Sequence, residues 1–123
     1  MNKPTLIAGF SAKPGRYSLM AYEALTRHGH TVYLMNNRGG SYEGHTVFRF
    51  CPDSLKPGTV HTITLYMRAV HQQNYYDCFM NLKPERIIFN PGTENPVLRE
   101  LCLRQGIETV EGCTLVMLST GQY

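Results

Sequence analysis

The sequence predicts an α/β protein built on a parallel β-sheet. Three observations carry that expectation. Short apolar runs of strand type alternate with stretches of helical spacing, and the early strands open into loops rich in Gly, Asn and Ser. The length, 123 residues, suits one domain and not two.

The first apolar run is Thr5–Ala8, closed by Gly9 and followed by the loop Phe10-Ser-Ala-Lys-Pro-Gly-Arg16. A helix is expected from Tyr17 to His28, with Leu19, Met20, Ala24 and Leu25 along one face and Gly29 as its stop. Thr31–Met35 is a second strand, ending in the turn-rich Asn36-Asn-Arg-Gly-Gly40, so the first 40 residues spell one βαβ unit. Between Ser41 and Gly58 the pattern is less regular: a short strand at Thr46–Phe50, a helical turn at Pro52–Leu55, and a turn at Lys56-Pro-Gly58. Val60–Met67 reads as a strand with a Thr-rich face, more polar than a central parallel strand usually is, which questions its burial. Arg68–Leu82 is expected as one helix ended by Lys83-Pro84, and Arg86–Phe89 as another strand. Asn95-Pro96 makes a good cap and first turn for a helix with Val97, Leu98, Leu101 and Cys102 on one face, closed by Gly106. Ile107–Val110 supplies a last strand, and Glu111–Tyr123 reads as a tail.

Composition excludes several classes. With 42% hydrophobic and 17% charged residues the chain is of the folded globular type. No apolar run approaches the roughly 20 residues a bilayer span needs. The apolar stretch at Thr5–Gly9 is too short for a signal peptide, so a soluble cytoplasmic protein is expected, with no membrane partner. The net charge of +3 is too mild, and its Lys and Arg too scattered, for a nucleic-acid binder. Its distribution is more telling: residues 1–42 carry Lys3, Lys13, Arg16, Arg27 and Arg38 against Glu23 alone, whereas residues 43–123 are nearly balanced. The four cysteines, Cys51, Cys78, Cys102 and Cys113, contain no C-x-x-C and no metal-finger spacing. They are read as reduced, packed thiols, with no metal site.

In open α/β sheets ligands bind beyond the carboxyl ends of the strands, which here means Gly9–Ser18, Asn36–Gly40, Tyr66–Arg68 and Asn90–Thr93. The first segment leads into a helix N-terminus, whose free N–H groups favour phosphate, and Ser11, Lys13 and Arg16 add a hydroxyl and positive charge. It is not the G-x-G-x-x-G fingerprint, because Ser11 and Pro14 stand where Gly is needed. No carboxylate follows the second strand to bond a ribose, as an NAD site requires; Asn36-Asn-Arg38 stands there instead. An arginine fork suits an additional ribose phosphate, such as NADP or coenzyme A carries. A catalytic constellation is missing: Lys13 breaks the G-x-S-x-G pattern, the five histidines lack metalloprotease spacing, and Cys113 has no evident base.

Taken together, Gly9-Phe-Ser-Ala-Lys-Pro-Gly-Arg16, Asn36-Asn-Arg-Gly-Gly40, Gly44 leading to Pro52-Asp-Ser-Leu55, Tyr66-Met-Arg68, Asn90-Pro-Gly-Thr-Glu-Asn95 and Gly112-Cys-Thr114 resemble the compact CoA-binding domain family. These are stand-alone relatives of the CoA-binding domain of the succinyl-CoA synthetase α subunit. The likeness runs from about residue 4 to 118, with Asn37 where many relatives have Pro. The resemblance implies a Rossmann-like three-layer sandwich with a five-stranded parallel sheet, order 3-2-1-4-5. It implies coenzyme A or an acyl-CoA as the ligand. The pyrophosphate would rest against Gly9, Phe10, Ser11, Lys13, Arg16 and the helix start at Tyr17 and Ser18. Arg38, with Asn36 in the same loop, would face the ribose phosphate; Tyr66–Arg68, Met67 among them, would wall the adenine; and Asn90–Thr93, with Pro91 and Gly92, would approach the pantetheine. The synthetase's phosphorylated histidine lies beyond this domain, so ligase activity is not implied. The leading expectation is therefore a non-catalytic binder of a small nucleotide ligand. The alternatives are an NADP-linked oxidoreductase and a ligand-free interaction protein, self-associating as a homo-oligomer through the polar strand and the apolar tail Leu115–Leu118.

Overall fold

The computed structural model describes residues 1–123. β1 (Thr5–Ala8), α1 (Tyr17–Arg27) and β2 (Val32–Met35) form the expected βαβ unit, with the two strands parallel from Thr5 opposite Val32 to Ala8 opposite Met35. The chain then folds back as a hairpin, β3 (Gly40–Tyr42) antiparallel to β4 (His45–Phe48). Its turn is Glu43-Gly44, with φ of 47° and 82°; two positive φ angles in succession match the twist of a two-residue hairpin. β5 (Thr62–Leu65) is followed by α2 (Ala69–Gln72), a 3-10 turn at Gln73–Tyr75, and α3 (Tyr76–Leu82). β6 (Arg86–Phe89), α4 (Pro96–Gln105), β7 (Glu108–Glu111) and α5 (Thr114–Ser119) complete the chain.

The sheet runs β3-β4-β2-β1-β5-β6-β7. This corrects the expectation of five parallel strands in the order 3-2-1-4-5: there are seven, and β3 is antiparallel. The added strands stand at opposite edges: β3 has no counterpart in the sequence reading, whereas β7 is the strand expected at Ile107–Val110. β3 exists because Gly39 and Gly40, at φ of 74° and 114°, let the chain reverse toward β4, and β7 adds outside β6 with Arg86 opposite Glu108.

Helices cover both faces, giving three layers. Ile7, Leu34 and Val47 pack with Ala21 and Leu25 of α1 and Leu118 of α5. On the other face Leu6, Ile63, Leu65 and Ile87 pack with Phe79 and Leu82 of α3 and Leu98 and Cys102 of α4. Alternation along each strand decides which side chain enters which layer. Asn95 caps α4 as its sequence suggests, its side chain accepting from the N–H groups of Val97 and Leu98 at 3.1 Å each, and Gly106 closes the helix at a φ of 73°.

Four further expectations are corrected. The Thr-rich strand is fully buried: Thr62 and Thr64 are 0% exposed. Their hydroxyls are satisfied, Thr64 by Thr114 (2.7 Å) and the Asn90 amide (2.7 Å), Thr62 by the Arg86 Nε (2.8 Å) and the His61 ring (2.7 Å). Buried hydroxyls so paired carry little penalty. The stretch Arg68–Leu82 is not one helix, because His71-Gln-Gln-Asn74 offers no apolar stripe and Gln72 is drawn inward by hydrogen bonds. The tail is not structureless but contains α5, whose Leu118 is buried against α1 while Val116 stays exposed. Lastly, Cys51 and Cys78 are joined in a disulfide with a Cα–Cα distance of 5.5 Å, not held as reduced thiols. Only the fold brings them together, across 27 positions of sequence. Cys102 and Cys113 are free.

Candidate functional site

The carboxyl ends of β1, β2, β5 and β6 open on one rim of the sheet, and all four loops there are tied to a neighbour. Gly9 follows β1 at a φ of +95°, and a Cβ on it would lie 2.8 Å from the Tyr66 carbonyl carbon and 2.9 Å from the Met67 nitrogen. Only glycine lets the two backbones approach so closely. Phe10 is buried among Tyr22 and Tyr42, at ring distances of 6.0 and 5.4 Å, so its side chain belongs to the core and only its backbone stands at the rim.

The loop before α1 is closed by a clasp of two serines. The Ser18 hydroxyl accepts the Ser11 N–H at 2.9 Å, and the Ser11 hydroxyl accepts the Lys13 N–H at 3.3 Å. Ser18 is buried, and its role is to hold the loop's shape. Arg16 caps α1 without a side-chain hydrogen bond, so the N–H groups of the first turn, including those of Tyr17 and Ser18, keep no side-chain acceptor. Asn36 does similar work after β2: its carbonyl oxygen accepts from the N–H of Arg38 (2.9 Å) and Gly39 (2.7 Å), while its amide donates to the Phe10 carbonyl (3.1 Å). The first and second loops are thereby locked together.

Lys13, Arg16, Arg38 and Arg68 are all exposed on this rim. None is paired with a carboxylate; the chain's contacts of that kind are Arg104–Glu100 and His61–Glu85, the latter ionic only when the imidazole is protonated. Beside them lies a cavity of about 230 Å³, lined by Tyr17, Tyr66, Asn90, Pro91, Cys113 and Leu115. Tyr17 is 68% exposed at its mouth. The Tyr66 hydroxyl is sealed from water, and no partner meets hydrogen-bond geometry. Burial pushes its phenol up to about 12, against smaller opposing pulls from the Thr114 and Thr64 hydroxyls, so it stays a neutral donor.

The floor of the cavity is a saturated polar network. The Asn90 amide donates to the Thr64 hydroxyl and the Leu65 carbonyl (2.9 Å), and its oxygen accepts the Thr114 N–H (2.9 Å). Gln72 donates to the carbonyls of Met67 (2.9 Å) and Thr93 (2.8 Å) and accepts from Asn95 (2.9 Å). Gln72 thus fixes the third loop to the fourth, a role with little local signal because Thr93 and Asn95 lie 21 and 23 positions away. In the fourth loop Pro91 lines the cavity, while the Gly92 N–H is already taken by the Glu94 carboxylate at 2.9 Å. Of the expected contact residues, then, Lys13, Arg16, Tyr17, Arg38, Arg68 and Pro91 present side chains at the rim. Met67 is half-buried, and Phe10, Ser18 and Asn36 shape the loops from behind. Sequence reading missed Leu115 of α5, which looked like part of a tail.

A family model described as a CoA binding domain matches residues 3–119. No curated protein matches the chain. Among solved structures, a crystal structure of an uncharacterized protein is 42% identical, covering 100% of this chain and 99% of its own, with a TM-score of 0.92. A hypothetical protein from Pyrococcus horikoshii OT3 is 19% identical over 97% of this chain and 83% of its own, with a TM-score of 0.86. A Thermus thermophilus protein is 18% identical over 98% of this chain and 91% of its own, with a TM-score of 0.81. The last two share the fold.

Proposed function

Because the chain belongs to the CoA-binding domain family, we propose that residues 1–123 act as one non-catalytic unit that binds coenzyme A or an acyl-CoA across the carboxyl rim of the sheet. The observation that carries this reading is the row of four exposed, unpaired cations, Lys13, Arg16, Arg38 and Arg68, on the loops at the carboxyl ends of the strands, with Lys13 and Arg16 leading into the uncapped N-terminus of α1. A ligand bearing a pyrophosphate and a ribose phosphate matches that row, and anions are favoured at such a helix end. The residues fit the group: Lys13, Arg16 and the α1 backbone would hold the pyrophosphate, and Arg38 the ribose phosphate. The half-buried Met67 and the exposed Arg68 would flank the adenine. The cavity between Tyr17, Tyr66 and Pro91 would take the thiol end of the pantetheine or a short acyl group. When bound, the ligand supplies a thiol or thioester; no side chain near Cys113 is arranged as its general base.

A thermal-shift series with CoA, dephospho-CoA, NADP and NAD on the wild type and on Arg38→Ala tests the proposal. CoA is expected to raise the melting temperature more than dephospho-CoA, and Arg38→Ala to erase the difference. Stabilisation by NADP without CoA would identify a dinucleotide site instead. No shift with any of the four would point to a fold kept without its ligand.

A further inference from the structure

The loop after β4 also reaches the proposed phosphate rim, at a residue, Arg49, to which the sequence reading gives no role. β4 ends at Phe48, whose carbonyl accepts the Asn36 N–H at 3.0 Å, so the next residue, Arg49, emerges beside the second loop. A Cβ on Gly39 would lie 3.3 Å from the Arg49 Cβ. Arg38 and Arg49 therefore leave adjoining backbone on the same rim. Both are exposed and neither has a carboxylate partner.

Two details make Arg49 more than a stray surface charge. Its guanidinium lies 5.1 Å from the centroid of the Phe50 ring, and Phe50 is 71% exposed. A stacked guanidinium and phenyl left in solvent is a flat, cationic platform. Its backbone is also held in place: the Tyr75 hydroxyl donates to the Arg49 carbonyl at 3.5 Å, and Cys51, two residues on, is bonded to Cys78 of α3. A phosphomonoester carries between one and two negative charges near neutral pH, more than a single guanidinium balances.

We infer that Arg49 is a second specificity-determining residue for the ligand's ribose phosphomonoester, acting beside Arg38; the inference rests on the CoA reading above. It distinguishes this residue from Lys13 and Arg16, which serve the pyrophosphate common to CoA and dephospho-CoA.

Isothermal titration calorimetry of CoA and dephospho-CoA against the wild type, Arg49→Ala and Arg49→Lys separates the possibilities. Arg49→Ala is expected to weaken CoA by about tenfold while leaving dephospho-CoA unchanged, and Arg49→Lys to restore part of the preference. A wild-type preference for CoA that survives intact in Arg49→Ala overturns the inference and leaves the CoA reading standing. So does equal wild-type affinity for the two ligands. Binding of neither ligand by the wild type removes the CoA reading, and the inference with it.

Discussion

At Gly9 the backbones of two neighbouring strands touch, and a methyl group would stand 2.8 Å from a Tyr66 backbone atom at a φ of +95°. Gly9→Ala is expected to lower unfolding stability by about 1–3 kcal/mol, measured as a shift of the urea midpoint; an unchanged midpoint would show that the strand ends yield freely. Ser18 and Asn36 belong to the same class of residue. The sequence marks them as ligand contacts because they sit in phosphate-type loops, yet their hydrogen-bonding groups are spent on Ser11, Arg38, Gly39 and Phe10. Composition of a loop is legible from sequence, whereas the direction of a side chain within it depends on what the rest of the fold brings near. Asn95 could be read correctly because a helix cap is local: its partners, Val97 and Leu98, are two and three residues away.

β5 is the element whose character changed most between sequence and structure. Its threonines looked like a solvent face and turned out to be an internal ladder linking Asn90, Thr114, Arg86 and His61. Thr64→Val keeps the β-branched shape but leaves the Asn90 amide one partner short and Thr114 without its hydroxyl contact. A loss of about 1–3 kcal/mol is expected in denaturant unfolding. Because Thr64 and Thr114 share one hydrogen bond, Thr64→Val with Thr114→Val is expected to cost less than the two separately; strict additivity would exclude the coupling. The βαβ unit, β6 and α4 were legible from apolar periodicity. β3 was not, since Gly-Ser-Tyr carries no strand signal and forms only because β4 is there to pair with it. α5 escaped notice because six residues show too little periodicity to separate a helix from an apolar tail.

Over the whole molecule, the two ends of the sheet answer to different conditions. At the end away from the carboxyl rim, His30 accepts the Lys3 N–H on its Nδ1 at 2.9 Å, which requires an unprotonated nitrogen. Burial, followed by the charge of neighbours including His28, Lys3 and Arg86, holds its pKa below the usual 6.5. His61 is also lowered, mainly by burial, with Glu85 pulling the other way. The unfolded chain then binds more protons than the folded one below about pH 6.5, so stability is full above that value and falls as the pH drops toward the folded-state pKa values. Melting temperatures are expected to decline from pH 7.5 to 5, and His30→Gln, which keeps the acceptor, to flatten the decline; an equally steep decline in the variant would assign the effect elsewhere. At the carboxyl rim of the sheet the Cys51–Cys78 bridge ties the Arg49 loop to α3, and its reduction is expected to cost about 2–4 kcal/mol of unfolding stability, read from melts with and without reductant. If the proposed ligand binds the bridged and the opened chain with different affinity, the same bridge couples its occupancy to thiol balance. Any ligand that grips the bridged chain more tightly than the opened one must, by reciprocity, make the bridge harder to reduce in equal measure. A tenfold preference corresponds to about 30 mV in the midpoint potential, so a saturated pool of this protein would keep its bridge in surroundings that open it in an empty one.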